Sequence, residues 1–336
     1  MSRVLQLVSR DEPGGVQVLA TMIADGLTRR DHQVTTLALA DGVGTVTRAA
    51  LRGHYDAIFS YQVAAGILGS VLGRMGGVRR RVTHLTAIPG AMRGHWRWLD
   101  RQAGLWGLHS EIIASSGTTL ASVAAYPPPY RHRLLRIDHG VAPLPAPAAI
   151  DWRARLGIPC GHRLLSASGR LAPQKNHAVA VAALADLPQA HLVIAGEGEL
   201  RAQLVQQAES FGVGSRLHLT GNLGRPELAA LLGQSDVLLF PSVWESFGLA
   251  AVEAAMLGVP VIASDLPVLR AVLGAAEPGM ARFHAADCRT SLGEAVQACL
   301  AAYPAELTRQ ISAQKIAAAH SVEAMIDAYC RLLARA

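Results

Sequence analysis

Short apolar runs bounded by turn residues alternate with helix-period segments along all 336 residues. That alternation predicts βαβ units around mostly parallel sheets. VLQLVS (4–9), QVTTLAL (33–39), DAIFS (56–60), RVTHLT (81–86), SEIIAS (110–115) and LLRIDHG (134–140) form a first set of strands. RLLSAS (163–168), HLVIAG (191–196), RLHLTG (216–221), DVLLFPS (236–242) and PVIASD (260–265) form a second, and 289–335 reads as helix throughout. Their near-continuous apolar character predicts strands covered on both faces. Between the sets, the proline-rich VAPLPAPAAI (141–150) cannot continue a helix or a central strand and reads as a linker. The expected fold class is therefore α/β, with one doubly wound parallel sheet in 1–145 and another in 150–320. Ligands of such sheets sit in a crevice at the carboxyl ends of the strands.

Composition supports this without adding chemistry. With 51% hydrophobic residues the chain can fill two cores and needs no disulfide or metal to fold. Disordered, collagen-like and mini-protein classes are excluded. Charge is more informative, because the net +6 is uneven: residues 1–149 balance at +7 and residues 150–336 at −1. An anionic partner for the first half, either a phosphate-bearing substrate or an anionic membrane face, would account for this, as would solvated surface arginine. Nucleic acid is disfavoured, since the arginines lack interleaved aromatics. Cys160, Cys288, Cys299 and Cys330 lie apart, with neither disulfide nor metal spacing, and read as buried thiols in a reducing compartment. The first residues carry too short an apolar run for a secretory signal, and no stretch of 18 uncharged apolar residues occurs. A cytoplasmic protein, at most peripheral to a membrane, is expected.

Two segments carry the candidate chemistry. In PSVWESFGLAAVEAAMLGVPVIASD (241–265) a strand ends, Glu245 follows on a loop, Ser246, Phe247 and Gly248 open a helix at Leu249, and Glu253 lies about one turn in. The free N–H groups at such a helix start favour an anion such as a diphosphate. Gly248 permits close approach, and the two carboxylates can bind hydroxyls on either side. In SASGRLAPQKNHAVAVAAL (166–184) a strand runs into Gly169-Arg170, and Lys175-Asn176 precedes a helix. Two cations in a strand-to-helix loop suit the neutralisation of a phosphate leaving group. Lys175 is one of only two lysines, against 29 arginines, so a compact ammonium stands at this position.

Together these segments resemble glycosyltransferase family 4, the nucleotide-sugar transferases of the GT-B fold, in which two Rossmann-like domains face across a cleft. The resemblance rests on G-R-L-x-x-x-K-N (169–176) followed by E-S-F-G-L-x-x-x-E (245–253). It extends to Gly14-Gly15, RRDHQVTTLAL (29–39), VIAGEGELRAQL (193–204) and LTGNLGRPELAALL (219–232). It implies that Arg170 and Lys175 bind the donor diphosphate, that Glu245 contacts hydroxyls of the transferred sugar, and that Glu253 holds the ribose. Phe247, Gly248 and Leu249 would give backbone N–H groups to the diphosphate, Gly15 would bring a first-domain loop against it, and Glu197, Asn222 and Leu223 would flank the base. It implies retention of anomeric configuration with neither metal nor cofactor, and no Asp-x-Asp motif occurs. The expected reaction moves a hexose from a nucleotide diphosphate sugar to a sugar or lipid-linked sugar acceptor in polysaccharide, lipopolysaccharide or exopolysaccharide assembly.

The first half offers fewer signals. His84, at a strand end, is a candidate acceptor-side group or a satisfied core histidine. Arg93, Arg97 and Arg101 recur at four-residue spacing beside Trp98 and Leu99. They form either a face for an anionic acceptor or membrane, or a solvated ridge over packed tryptophans. Arg79, Arg80 and Arg81 precede a strand and read as solvated. In related folds the last helix packs back on the first domain, and residues 321–336 are the candidate. A nucleotide-sugar epimerase of the same fold and a non-catalytic nucleotide-sugar-binding protein are the alternatives. A dinucleotide-dependent dehydrogenase is disfavoured, because Gly196-Glu197-Gly198 lacks the third glycine of its phosphate loop.

Overall fold

The computed structural model describes residues 1–9 and 15–334. The chain divides into two compact units, Met1–Gly140 with His320–Ala336, and Val141–Ala319.

The first unit holds β1 (Arg3–Val8), β2 (Gln33–Ala38), β3 (Ala57–Tyr61), β4 (Arg80–His84), β5 (Glu111–Ala114) and β6 (Leu134–Arg136). All pair in parallel, in the order β2-β1-β3-β4-β5-β6, so the winding reverses between β1 and β3. One sheet face, with Leu5, Leu7 and Ile58, packs on helix Val63–Met75. That helix approaches closely because Gly69 has no side chain: a Cβ there would lie 2.4 Å from the Ser60 hydroxyl and 2.9 Å from Leu7. The opposite face carries Phe59, Tyr61 and His84, and Tyr329 of helix Val322–Ala334 packs over them, 5.5 Å from the Phe59 ring. The same helix lies against Gly15–Thr28 at Gly26, where a Cβ would sit 2.5 Å from Ile326. Arg30 pairs with Glu323 at 2.8 Å and Asp327 at 2.7 Å along its rim.

The second unit holds β7 (Arg163–Ser168), β8 (Ala190–Ala195), β9 (Leu217–Gly221), β10 (Val237–Phe240), β11 (Val261–Ser264) and β12 (Ala281–His284). The order is β12-β11-β10-β7-β8-β9, again all parallel, with the reversal between β7 and β10. Leu165, Leu192, Leu239 and Ile262 join Val181, Leu184 and Val296 in one cluster. Leu238, Phe240, Val261 and Ala263 join Val252, Leu269 and Ile316 in another. Burial of each large aliphatic side chain contributes about 1.5–3 kcal/mol, and helices on both faces explain why the strands lack polar alternation.

The structure corrects several local expectations. Of the four cysteines Cys299 is buried, whereas Cys288 and Cys330 are half-buried and Cys160 is exposed. β12 was not predicted, because A-R-F-H at a sheet edge is only partly buried and shows no continuous apolar run. The C-terminal segment is not one helical stretch: helices Arg289–Ala301, Glu306–Ala319 and Val322–Ala334 are separated at Pro304 and at His320-Ser321. Arg80 and Arg81 are strand residues and are not simply solvated. Arg80 pairs with Glu111 at 3.2 Å, and Arg81 donates to the carbonyls of Leu108 and Val78 at 2.8 and 2.7 Å.

Candidate functional site

The winding reversal between β7 and β10 puts the loops that follow these two strands side by side, where open α/β sheets bind ligands. β7 ends in Gly169, whose φ of 142° excludes other residues without strain. A Cβ there would lie 3.1 Å from the Lys175 side chain, so the glycine leaves room for the lysine stem. The loop is pinned to its neighbour after β8 by Gly169 N–H to the Ala195 carbonyl (3.0 Å) and Leu171 N–H to the Glu197 carbonyl (2.9 Å). Contact is so close that a Cβ on Gly196 would lie 2.0 Å from the Gly169 carbonyl oxygen, and one on Gly198 2.4 Å from that of Leu171. The Gly-Glu-Gly sequence is thus a seam between two backbones.

Residues Pro173–Lys175 form a short 3-10 turn closed by Asn176 in the left-handed region (φ 48°, ψ 39°), whose side-chain amide donates to Asp287 at 2.6 Å. Val243 N–H donates to the Gln174 carbonyl (2.9 Å), and the Gln174 amide donates to the Trp244 carbonyl (3.1 Å), which ties the turn to the loop after β10. Across this tie the Lys175 ammonium meets the buried Glu245 carboxylate at 2.5 Å and lies 4.9 Å from the centre of the Phe240 ring. Arg170, next to Gly169 in the chain, is exposed.

Gly248, at φ 97°, turns the loop into helix Leu249–Met256; a Cβ there would lie 2.7 Å from Leu269. The helical bonds begin with Ala251 N–H to the Gly248 carbonyl at 3.0 Å, so the N–H groups of Leu249 and Ala250 precede them and present a positive end to an anion. Phe247 is buried in the cluster with Phe240 and Leu269, and Ser246 is half-buried. Glu253 is buried on the same helix and accepts from Arg225 at 3.0 Å. Burial raises its carboxyl above the usual range, and the guanidinium acts against that rise. Glu197 is exposed and pairs with Arg201 at 3.2 Å, Asn222 is exposed, and Leu223 packs against the cluster around Trp152.

The second unit therefore brings together Gly169, Arg170, Lys175, Glu245, Ser246, Phe247, Gly248, Leu249 and Glu253, with Glu197, Asn222 and Leu223 on the loops after β8 and β9. Gly15, the first residue of its helix, and His84 belong to the first unit, and Gly14 lies outside the described residues. His84 is not an open strand-end group. It is buried, stacks on Tyr61 with ring centres 4.3 Å apart, and has both ring nitrogens engaged inside its own unit. Nδ1–H donates to the Ser60 carbonyl at 3.0 Å, because a carbonyl can only accept, which leaves Nε2 to accept from the Tyr329 hydroxyl at 2.9 Å. Burial holds its pKa down to about 4, so the ring is neutral at pH 7. Two residues escaped the sequence reading. Arg225, two positions after Leu223, carried no motif of its own, and His177, directly after Lys175-Asn176, is buried with its pKa pulled down to about 4. Among the described residues no three His, Cys, Asp or Glu side chains are placed to hold a metal ion.

The fold as a whole is shared with solved glycosyltransferases. The chain superposes over 99% of its length on HepE of Anabaena in complex with UDP-glucose (TM-score 0.84, 20% identity, 99% of that chain). It matches sucrose-phosphate synthase of Thermosynechococcus elongatus (0.82, 19%, 98% of that chain) and the lipopolysaccharide glycosyltransferase WaaG (0.75, 16%, 100% of that chain), over 99% of its own length in each case. Two six-stranded parallel sheets with this likeness define the GT-B fold. Within that class, residues 149–313 match the family described as glycosyl transferases group 1. The D-inositol 3-phosphate glycosyltransferases of Mycolicibacterium gilvum and Mycolicibacterium smegmatis are 35% and 33% identical over 193 and 191 residues, 54% of this chain in both cases. The matches span 42% and 43% of those relatives' lengths.

Proposed function

We propose that the chain is a retaining glycosyltransferase of family 4 that moves a hexose from a nucleotide diphosphate sugar to a sugar or lipid-linked sugar acceptor. The observation that carries this reading is the pairing of Lys175 with Glu245 beside the helix start at Gly248-Leu249, at the switch between β7 and β10. Binding of a diphosphate at the helix N-terminus draws Lys175 toward the anion and leaves the Glu245 carboxylate to accept from hydroxyls of the sugar. Arg170 adds a second cation. In the reaction the acceptor oxygen bonds to the anomeric carbon on the face from which the nucleoside diphosphate departs. The departing phosphate oxygen takes the acceptor proton, and Lys175 and Arg170 offset the charge that develops on it. Glu253 binds the ribose, and Glu197, Asn222 and Leu223 border the base. No step calls on a metal or cofactor. The UDP-glucose complex of HepE and the named activity of the inositol 3-phosphate relatives support this chemistry.

The proposed setting is the assembly of polysaccharide, lipopolysaccharide or exopolysaccharide at the inner face of the cytoplasmic membrane, approached peripherally. Among the described residues no helix is long and apolar enough to cross a membrane. The peripheral contact is assigned to helix Gly94–Leu105, where Trp96, Trp98 and nearby Trp106 are exposed among Arg93, Arg97 and Arg101.

Thermal unfolding with UDP-, GDP-, ADP- and dTDP-sugars tests the donor reading. A donor at 100 times its dissociation constant adds about 2.7 kcal/mol of stability. Lys175→Ala and Glu253→Ala are expected to shrink that gain, and failure of every nucleotide sugar to stabilise the wild-type chain would reject the reading.

A further inference from the structure

We propose that Arg225 is a positioning residue of the ribose subsite, orienting the Glu253 carboxylate and keeping it an acceptor for the ribose hydroxyls. This rests on the donor-site reading above. Glu253 is 8% exposed on a helix whose neighbours Ala251, Val252, Ala254 and Ala255 are all buried in an apolar cluster. An isolated carboxylate there is costly to ionise. The charge that opposes this cost is Arg225, 28 positions away in sequence, whose guanidinium bonds one oxygen of Glu253 at 3.0 Å. That contact leaves the other oxygen for incoming hydroxyls. A ribose diol offers two O–H donors, and the remaining oxygen of an ionised carboxylate has two lone pairs to accept them, a capacity that protonation reduces.

The backbone that presents Arg225 is itself held. Arg225 is the first residue of helix Arg225–Gln234, Pro226 follows it, and the Glu227 side chain accepts from the Gly224 N–H at 2.9 Å. The Pro226 carbonyl in turn accepts from Ala148 N–H at 2.9 Å. The arginine root is thus fixed while its head, 42% exposed, reaches inward to a carboxylate that is 9% exposed. Asn222 and Leu223 lie three and two positions before it, so one short segment borders the base and braces the ribose ligand.

The test uses the full chain and calorimetric binding of UDP, GDP and ADP, each compared with its 2′,3′-dideoxy analogue, at pH 6 and pH 8. For whichever nucleotide the wild type binds, Arg225→Met should lose about tenfold in affinity for the ribonucleotide, the scale of one hydrogen bond to a charged group. It should change little for the dideoxy analogue. The loss should deepen at pH 6, and Arg225→Lys should recover part of it. The double variant Arg225→Met/Glu253→Gln removes the uncompensated buried charge. It should regain thermal stability yet bind the ribonucleotide as weakly as Arg225→Met. Equal losses for both nucleotide forms, no loss at all, or restored affinity in the double variant would overturn the assignment of Arg225 alone. A wild-type chain that binds none of the three nucleotides overturns this assignment, and if no dTDP-sugar stabilises it either, the donor reading falls as well.

Discussion

Glycines with positive φ in the second unit answer to different constraints, and the difference can be measured. At Gly212 (φ 67°) a Cβ would meet nothing within 4 Å, so only the backbone conformation opposes a side chain. Gly212→Ala should cost about 1–2 kcal/mol, the ordinary left-handed penalty of an L-residue. At Gly196 the strained φ of 155° coincides with a Cβ position 2.0 Å from the Gly169 carbonyl oxygen, an atom of the loop that carries Arg170. Gly196→Ala should cost about 3–5 kcal/mol, from backbone strain together with overpacking. It should also weaken nucleotide binding through displacement of that loop. Denaturant unfolding of both variants, with nucleotide binding alongside, checks the contrast; equal costs would show that the seam between the loops is not rigid. The Lys175–Glu245 pair follows a related logic, because a partly buried ion pair is worth little as a stabiliser but costs much when halved.

At the scale of one element, helix Gly94–Leu105 shows how an amphipathic segment can be anchored and still offer a surface. Its inner face is settled by Gly104, where a Cβ would sit 2.1 Å from the Tyr130 ring, and by the Tyr130 hydroxyl donating to buried Asp100 at 2.9 Å. Burial pushes the Asp100 pKa up to about 6. The outer part leaves Trp96, Trp98 and Trp106 exposed by 36%, 55% and 69%, so they are not the packed tryptophans that one reading of the sequence allowed. A tryptophan presents a large amphipathic surface suited to a membrane interface, and the arginines around it complement anionic headgroups. Sedimentation with phosphatidylglycerol vesicles should therefore carry the protein down at low salt and less so at high salt. Replacing Trp96, Trp98 and Trp106 with alanine should abolish the binding. Sedimentation that ignores lipid charge, salt and the tryptophans would reject the surface.

At the scale of the whole molecule, buried histidines couple stability to pH. His84, His109 and His139 in the first unit and His177 in the second each have their pKa held down to about 4 by burial. Unfolded, each would titrate near 6.5. A depressed folded value means that the stability they contribute is complete above pH 6.5 and is lost as pH falls toward 4. Each proton taken up on unfolding contributes a slope of about 1.4 kcal/mol per pH unit. Asp100, raised to about 6, works the other way and offsets roughly one proton over the same range. From these four rings and Asp100 alone the slope is about 4 kcal/mol per pH unit, large against a typical total stability of 5–15 kcal/mol. Urea unfolding at pH 7, 6 and 5 should show a steep loss below pH 6.5, and a flat profile would mean that these rings are hydrated.

The sequence by itself determined the α/β class, the two sets of strands and the loops that carry Lys175, Glu245 and Gly248. Those features follow from local periodicity and turn chemistry, which operate over a few residues. β12 was illegible for the same reason, since a short half-exposed edge strand has no local apolar signature. The tertiary structure alone decided which charges meet, because strand order brings together groups that no local pattern connects. Lys175 reaches Glu245 across 70 positions, Arg225 reaches Glu253 across 28, and His84 is engaged by a tyrosine 245 positions later. A histidine at a strand end looks available until the helix that covers it is known, and a carboxylate looks alone until the sheet order gives it a guanidinium.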